Sequence, residues 1–158
     1  MKEDDLLRMK KYIIDGNNLI GKIRSLSNLQ KKDKQAPREK LAHLVERYFS
    51  NKKVEVILNF DGFANQKISV SKMKLVYSDK ISADEKIKKQ IEEERNKRNL
   101  VVISSDNNVR EFAKVCGCEV ISSEDFGKEI TKSQNADDEE SRIKAIDDIN
   151  TFKKLFDV

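Results

Sequence analysis

Asp15, Asp61, Asp84 and Asp106 each stand shortly after an apolar run: Tyr12-Ile13-Ile14, Val56-Ile57-Leu58-Asn59-Phe60, Leu75-Val76-Tyr77 and Val101-Val102-Ile103-Ser104-Ser105. If those runs are parallel strands, the four carboxylates gather at one end of a single sheet. Carboxylates crowded together raise one another's pKa, so they hold either protons or a cation. A set of hard oxygen donors with room left for water and phosphate oxygens suits Mg²⁺ or Mn²⁺. A divalent ion there would polarise a phosphodiester and lower the pKa of an attacking water, with no covalent enzyme nucleophile. Each aspartate also has a purely structural reading. Asp106 can cap a helix, Asp84 can sit as a favourable charge in a first turn, and Asp15 and Asp61, each before a glycine, can make turns. Capping and turns do not predict that four successive units place an Asp at the same end.

The elements that must position these residues follow from hydrophobic periodicity. Tyr12 to Asp15 reads as a first strand entering the sharp turn Asp15-Gly16-Asn17-Asn18. A Ser/Asn/Lys-rich loop broken by Pro37 follows. Leu41, Leu44, Val45, Tyr48 and Phe49, at three- and four-residue spacing, then predict an amphipathic helix over 38–50. Val54 to Phe60 and Met73 to Tyr77 are the second and third strands. Ser82 and Glu85, three apart, mark a capping box for a helix running to about Lys97. Leu100 to Ser104 is the fourth strand. A helix with Val109, Phe112, Ala113 and Cys116 on one face is stopped by Gly117, and Glu119 to Ile121 and a helical turn near 124–130 complete the pattern. Apolar, β-branched strands alternating with helices predict an α/β fold with a mainly parallel sheet of 4–5 strands covered on both faces. In such sheets the functional crevice lies outside the carboxyl ends of the strands.

Composition agrees with one folded domain. The 158 residues are 38% charged and 37% hydrophobic, enough to build a core beneath a strongly solvated exterior. Cys116 and Cys118 have no second Cys or His pair with which to form a zinc site, and a reduced, cytoplasmic protein is the simpler expectation. No apolar stretch approaches the roughly 20 residues of a membrane span, so no membrane partner is expected. The net charge of +4 is uneven. From Lys22 to Lys53 there are ten basic residues against three acidic ones, whereas Thr131 to Val158 carries five against seven. The basic stretch could face a polyanion.

Ile13-Ile14-Asp15-Gly16-Asn17-Asn18-Leu19-Ile20 resembles the opening motif of the NYN domains, a branch of the PIN-like nucleases, and in particular of the bacterial YacP-like group. Phe60-Asp61-Gly62, Ser82-Ala83-Asp84-Glu85 and Ser104-Ser105-Asp106 match that group's later motifs in order, and the resemblance covers roughly 11–130. It implies a PIN-like three-layer α/β/α sandwich and a metal-dependent endoribonuclease with Asp15, Asp61, Asp84 and Asp106 as its acidic residues. Asn18 would orient the first aspartate or a metal-bound water. Asn17 departs from the aromatic residue many members carry there. The expected organisation is a nuclease domain over 1–130, then an acidic linker (Asp137-Asp138-Glu139-Glu140) and a helical tail over 131–158. That tail's apolar face is compatible with a homodimer.

An RNA substrate has to be held by cations around the acidic mouth. Arg110, one helical turn beyond Asp106, and Lys22, Arg24 and Arg38, in the segment after the first strand, are the candidates for phosphate contacts. Tyr12, Tyr48 and Tyr77 occupy core-type positions. Base preference is then weak or supplied by context, with mRNA or ribosome-associated RNA as the partner. His43 falls on the polar side of its helix. Two other classes compete: a non-catalytic RNA-binding module, and a metal-dependent phosphatase, which would need an Asp-x-Asp where this chain has Asp15-Gly16-Asn17. Neither a Gly-x-Gly-x-x-Gly nor a P-loop motif occurs, which disfavours a nucleotide-binding domain.

Overall fold

In the computed structural model, residues 9–132 are described, so the tail expected over 131–158 lies almost wholly outside the described residues. Five strands form one all-parallel sheet: β1 (Lys11–Asp15), β2 (Glu55–Phe60), β3 (Lys74–Tyr77), β4 (Leu100–Ile103) and β5 (Glu119–Ile121), in the order β3-β2-β1-β4-β5. The first strand is therefore central. Each of its residues is paired on one side with β2 and nearly all on the other with β4, with Ile14 opposite both Leu58 and Ile103.

Alternation along the strands divides the apolar residues between two cores. Ile14, Leu58, Phe60, Val101 and Ile103 face a layer built from α1 (Gly16–Lys22), α2 (Arg24–Gln30), α3 (Gln35–Phe49) and α6, the helical residues 123–132. Ile13, Leu100 and Val102 face the opposite layer, where Ile87 and Ile91 of α4 (Ala83–Glu93) and Val109 and Ala113 of α5 (Asn107–Val115) close the second core. This is the expected three-layer sandwich.

The segment expected to be a loop differs. Residues 16–30 form two seven-residue helices, and α3 begins at Gln35, taking Pro37 into its first turn. Leu19, Ile20, Ile23 and Leu26 are all buried at helical spacing, a pattern masked by the Ser, Asn and Lys residues between them. Pro37 is tolerated because amide groups in a first turn have no intrahelical partner to lose. Ser82 caps α4 by accepting the Glu85 amide at 3.2 Å, as expected, but the helix ends at Glu93, before Lys97. Gly117 ends α5's segment at φ +87°, where a side chain would be strained.

Candidate active site

The parity that sorts the cores also aims the site. Asp15 lies two residues past Ile13, so its side chain points toward the layer of α4 and α5 and is buried there. Ser104 lies two past Val102 on the neighbouring strand and takes the same direction. Its hydroxyl donates to Asp15 Oδ2 at 2.9 Å and accepts the Asp106 amide at 3.1 Å. On the other side, Asn59, opposite Asp15 in the β1–β2 register, exchanges amide hydrogen bonds with Gln90 of α4 at 2.7 and 3.0 Å.

The helices that cover this face begin beside Asp15. Asp84 is in the first turn of α4. Asp106 is the N-cap of α5, its Oδ1 accepting the amides of Asn108 and Val109 at 2.9 and 3.2 Å. The structural reading of Asp106 as a cap is therefore correct, and it leaves the second carboxylate oxygen outside that cap. Asp61 is exposed at the end of β2. Its Oδ1 accepts from Ser78 Oγ and from the Ala83 amide, both at 3.1 Å.

Charge couples three of the four. Burial is the main cause that pushes Asp15 up from 3.8 to about 6, and the negative charges of Asp84 and Asp106 push in the same direction. The Ser104 hydroxyl and the Asn18 amide oppose them by hydrogen-bonding the carboxylate. Asp84 is also raised, first by burial and then by the charge of Asp106; Lys88 pulls the other way, a hydrogen bond shared with Asp106 favours the protonated acid, and Asp61 adds a smaller push. Asp15, Asp84 and Asp106 thus form a mutually repelling set, with Asp61 at its margin.

A hard divalent cation suits this set in donor type and charge. The four salt bridges among the described residues use Glu119, Glu55, Glu94 and Glu124, and none of the four aspartates. No three Asp, Glu, His or Cys side chains among the described residues are gathered into a ready-made metal-holding group.

The other expected residues fall in two groups. Asn18 does not direct its side chain at Asp15. Its Oδ1 accepts from the Ser105 amide at 2.9 Å and the Ser123 hydroxyl at 2.7 Å, tying α1 to the end of β4 and the start of α6; only its backbone N–H reaches the aspartate. Asn17 likewise fastens the Asp61 amide at 2.7 Å. Arg38 differs from the expected phosphate contact. It is buried, donates to the carbonyls of Asp61 at 2.6 Å and Phe63 at 3.0 Å, and lies over the rings of Phe60 and Tyr77. Its cation is committed to holding the turn after β2. Lys22 is exposed but paired with Glu124 at 3.2 Å, whereas Arg24 is exposed and Arg110 half-buried on α5. Glu124 accepts from the Ser105 hydroxyl, and this bond is the leading cause that lowers its pKa to about 2.

Ser104 was missing from the sequence reading, although strand parity alone would have found it. Replacing Ser104 with Ala is expected to move the Asp15 titration alkaline by about one to two pH units, since a hydrogen bond to a carboxylate contributes on the order of 1.5–3 kcal/mol. Carboxyl-carbon NMR titration measures it, and an unmoved Asp15 would show that the hydroxyl has no electrostatic role.

The family model for the YacP-like NYN domain matches residues 12–156. Similar solved structures include Rae1 (YacP) from Bacillus subtilis, at 21% identity and TM-score 0.68 over 93% of this chain and 87% of that one, and a mutant of it, at 22% identity and TM-score 0.69 over 89% and 85%. No curated protein matches.

Proposed function

Because the chain belongs to the YacP-like NYN domain family, we propose that it is a divalent-metal-dependent endoribonuclease cutting RNA phosphodiester bonds at the open end of its sheet. The observation that carries this reading is the convergence of Asp15, Asp84 and Asp106 on one face of the central strands, each adding negative charge that another feels. Asp15, Asp84 and Asp106 would hold Mg²⁺ or Mn²⁺, with Asp61 at the edge. The bound ion would supply Lewis acidity to the scissile phosphate and a water of lowered pKa.

The chain's own residues do the rest. Asp15 has to release a proton to serve, and Ser104 and the Asn18 amide hold the resulting carboxylate in one orientation. Asn17 holds the Asp61 amide and Arg38 the Asp61 carbonyl, so that the margin of the site is rigid. Lys88, whose charge Asp84 feels, is one cation beside the acidic mouth, and Arg110 on α5 and Arg24 on α2 are assigned to further phosphates. With the tyrosines packed against the core, base recognition is weak, which suits mRNA or ribosome-associated RNA presented by its context.

End-labelled single-stranded and structured RNAs incubated with Mn²⁺, Mg²⁺ or EDTA test the reading, beside Asp84→Asn and Asp106→Asn. Asn caps a helix as well as Asp, so Asp106→Asn keeps its fold. Internal cuts that need the metal and disappear in both variants are the expected outcome. The exposed cations of the segment after β1, Arg24 among them, would equally serve a non-catalytic RNA-binding module. Salt-sensitive RNA binding with no cleavage under any condition would favour that reading, or a nuclease that needs its ribosomal or partner context.

A further inference from the structure

Two clefts on the α1–α3 side of the sheet, of about 300 and 350 Å³, are neighbours through Ser25, which lines both, and make a groove of two parts. The first lies between the α1–α2 elbow and α6 and is lined by Lys22, Arg24 and Lys128. The second lies between α2 and α3 and is lined by Lys40, His43, Leu44 and Arg47. Lys40, His43 and Arg47 recur at helical spacing along one exposed stripe of α3. The acids of that helix accept from neutral donors, Glu39 from Gln35 and Glu46 from the Ser71 amide. One end of the groove adjoins the acidic mouth, because Lys22 is paired with Glu124 and Glu124 accepts from Ser105, the residue before Asp106.

The groove differs from a cleft of about 600 Å³ beside β2 and β3. There Lys11, Lys74 and Lys86 are interleaved with Glu93 and Glu94, and Lys11 pairs with Glu94 at 3.1 Å. That cleft is locally near neutral. The α2–α3 groove is cationic along its length, with an exposed imidazole and the partly buried Leu44 in its floor.

We propose that this groove carries the RNA backbone away from the cleavage site. A single strand leaves the acidic end of the sheet past Ser105, crosses the α1–α2 elbow, and continues along α3. Its phosphates are taken by Lys128, Arg24 and Lys40, and a base rests against His43 and Leu44. This assignment rests on the ribonuclease reading and adds to it the direction of the strand and a binding face outside the carboxylate site.

The test is RNA binding in EDTA, so that no cleavage intervenes, using a labelled single-stranded oligoribonucleotide titrated over a range of salt. The triple variant Arg24→Gln, Lys40→Gln, Lys128→Gln is compared with an equally neutralised control on other faces, Lys53→Gln, Lys89→Gln, Lys114→Gln. All six side chains are exposed. Loss of three phosphate contacts is expected to make the slope of log affinity against log salt shallower by about 2 and to weaken binding at least tenfold, with the control near wild type. Equal losses in the two triple variants would mean that only net charge matters and would overturn the groove. Wild-type protein that cleaves RNA, with a groove variant that binds as it does, would overturn the path and leave the nuclease intact. Wild-type protein that neither binds nor cleaves RNA would overturn both.

Discussion

Asp15→Asn is expected to abolish RNA cleavage and, in the metal-free protein, to raise stability at neutral pH. Asp15 is 4% exposed, and its carboxyl is pushed up to about 6 by burial, then by the charges of Asp84 and Asp106, against the hydrogen bonds of Ser104 and Asn18. In the unfolded chain the same group titrates near 3.8. Between those values the folded protein binds the extra proton, so stability falls as pH rises from about 4 to about 6 and stays low above it. The full penalty, from 3.8 to about 6, corresponds to roughly 3 kcal/mol. A neutral amide of the same shape escapes it. The variant should therefore exceed the wild type by up to about 3 kcal/mol at pH 7 and by almost nothing below pH 4. Urea unfolding in EDTA across this range measures the difference. Parallel curves at all pH values would refute the buried, repelled carboxylate. Retained cleavage in the variant would remove Asp15 from the chemistry.

Gly16→Ala is expected to be the most damaging small substitution in the site. Gly16 follows Asp15 and opens α1 without a connecting residue. A Cβ there would lie 2.4 Å from the carbonyl oxygen of Asn59 and 2.8 Å from the Phe60 ring. The carbonyl belongs to β2, which is hydrogen-bonded between β1 and β3 and cannot withdraw. The helix has to move instead, taking Asn17 off the Asp61 amide and Asn18 off Ser105 and Ser123. A loss of about 3 kcal/mol or more is expected, with cleavage in the remaining folded fraction reduced more than a hundredfold, since misplacement of a positioned group by about 1 Å has that effect. Gly21 supplies the contrast within the same helix. Nothing lies within 4 Å of a Cβ at that position, and Gly21→Ala should stabilise by about 0.5–1 kcal/mol. Denaturation midpoints of both variants check the pair, and a Gly16→Ala protein as stable as Gly21→Ala would contradict the close approach.

The strands and their order of use were legible because buried parallel strands leave a compositional mark. Runs such as Val101-Val102-Ile103 have few other places to go, and an Asp just past each run locates the carboxyl ends. The helices before α3 were obscured because their core-facing Leu19, Ile20, Leu26 and Leu29 are set among Ser, Asn, Gln, Lys, Arg and Gly. Arg38 was misread for a related reason. Sequence shows charge but not direction, and this guanidinium spends its donors on carbonyls and its plane on two rings, which only the three-dimensional path of the Asp61 turn creates. Asn18 shows the same limit, since its partners Ser105 and Ser123 lie 87 and 105 positions away. The side chain that does hold Asp15, Ser104, follows from counting two residues beyond Val102.

The central place of β1 also governs when the protein can work. Its hydrogen-bonding neighbour β4 lies far downstream, and the Ser104–Asp15 bond spans 89 positions. Chains dominated by such distant pairings fold slowly, because the loop must close before the contact repays it. On a translating ribosome, β1, β2 and β3 can assemble with the α1–α3 layer while Asp106 and Ser104 are still unmade. A product truncated anywhere before β4 would lack Ser104 and Asp106 and so hold no complete acidic centre, whatever its first three strands had built.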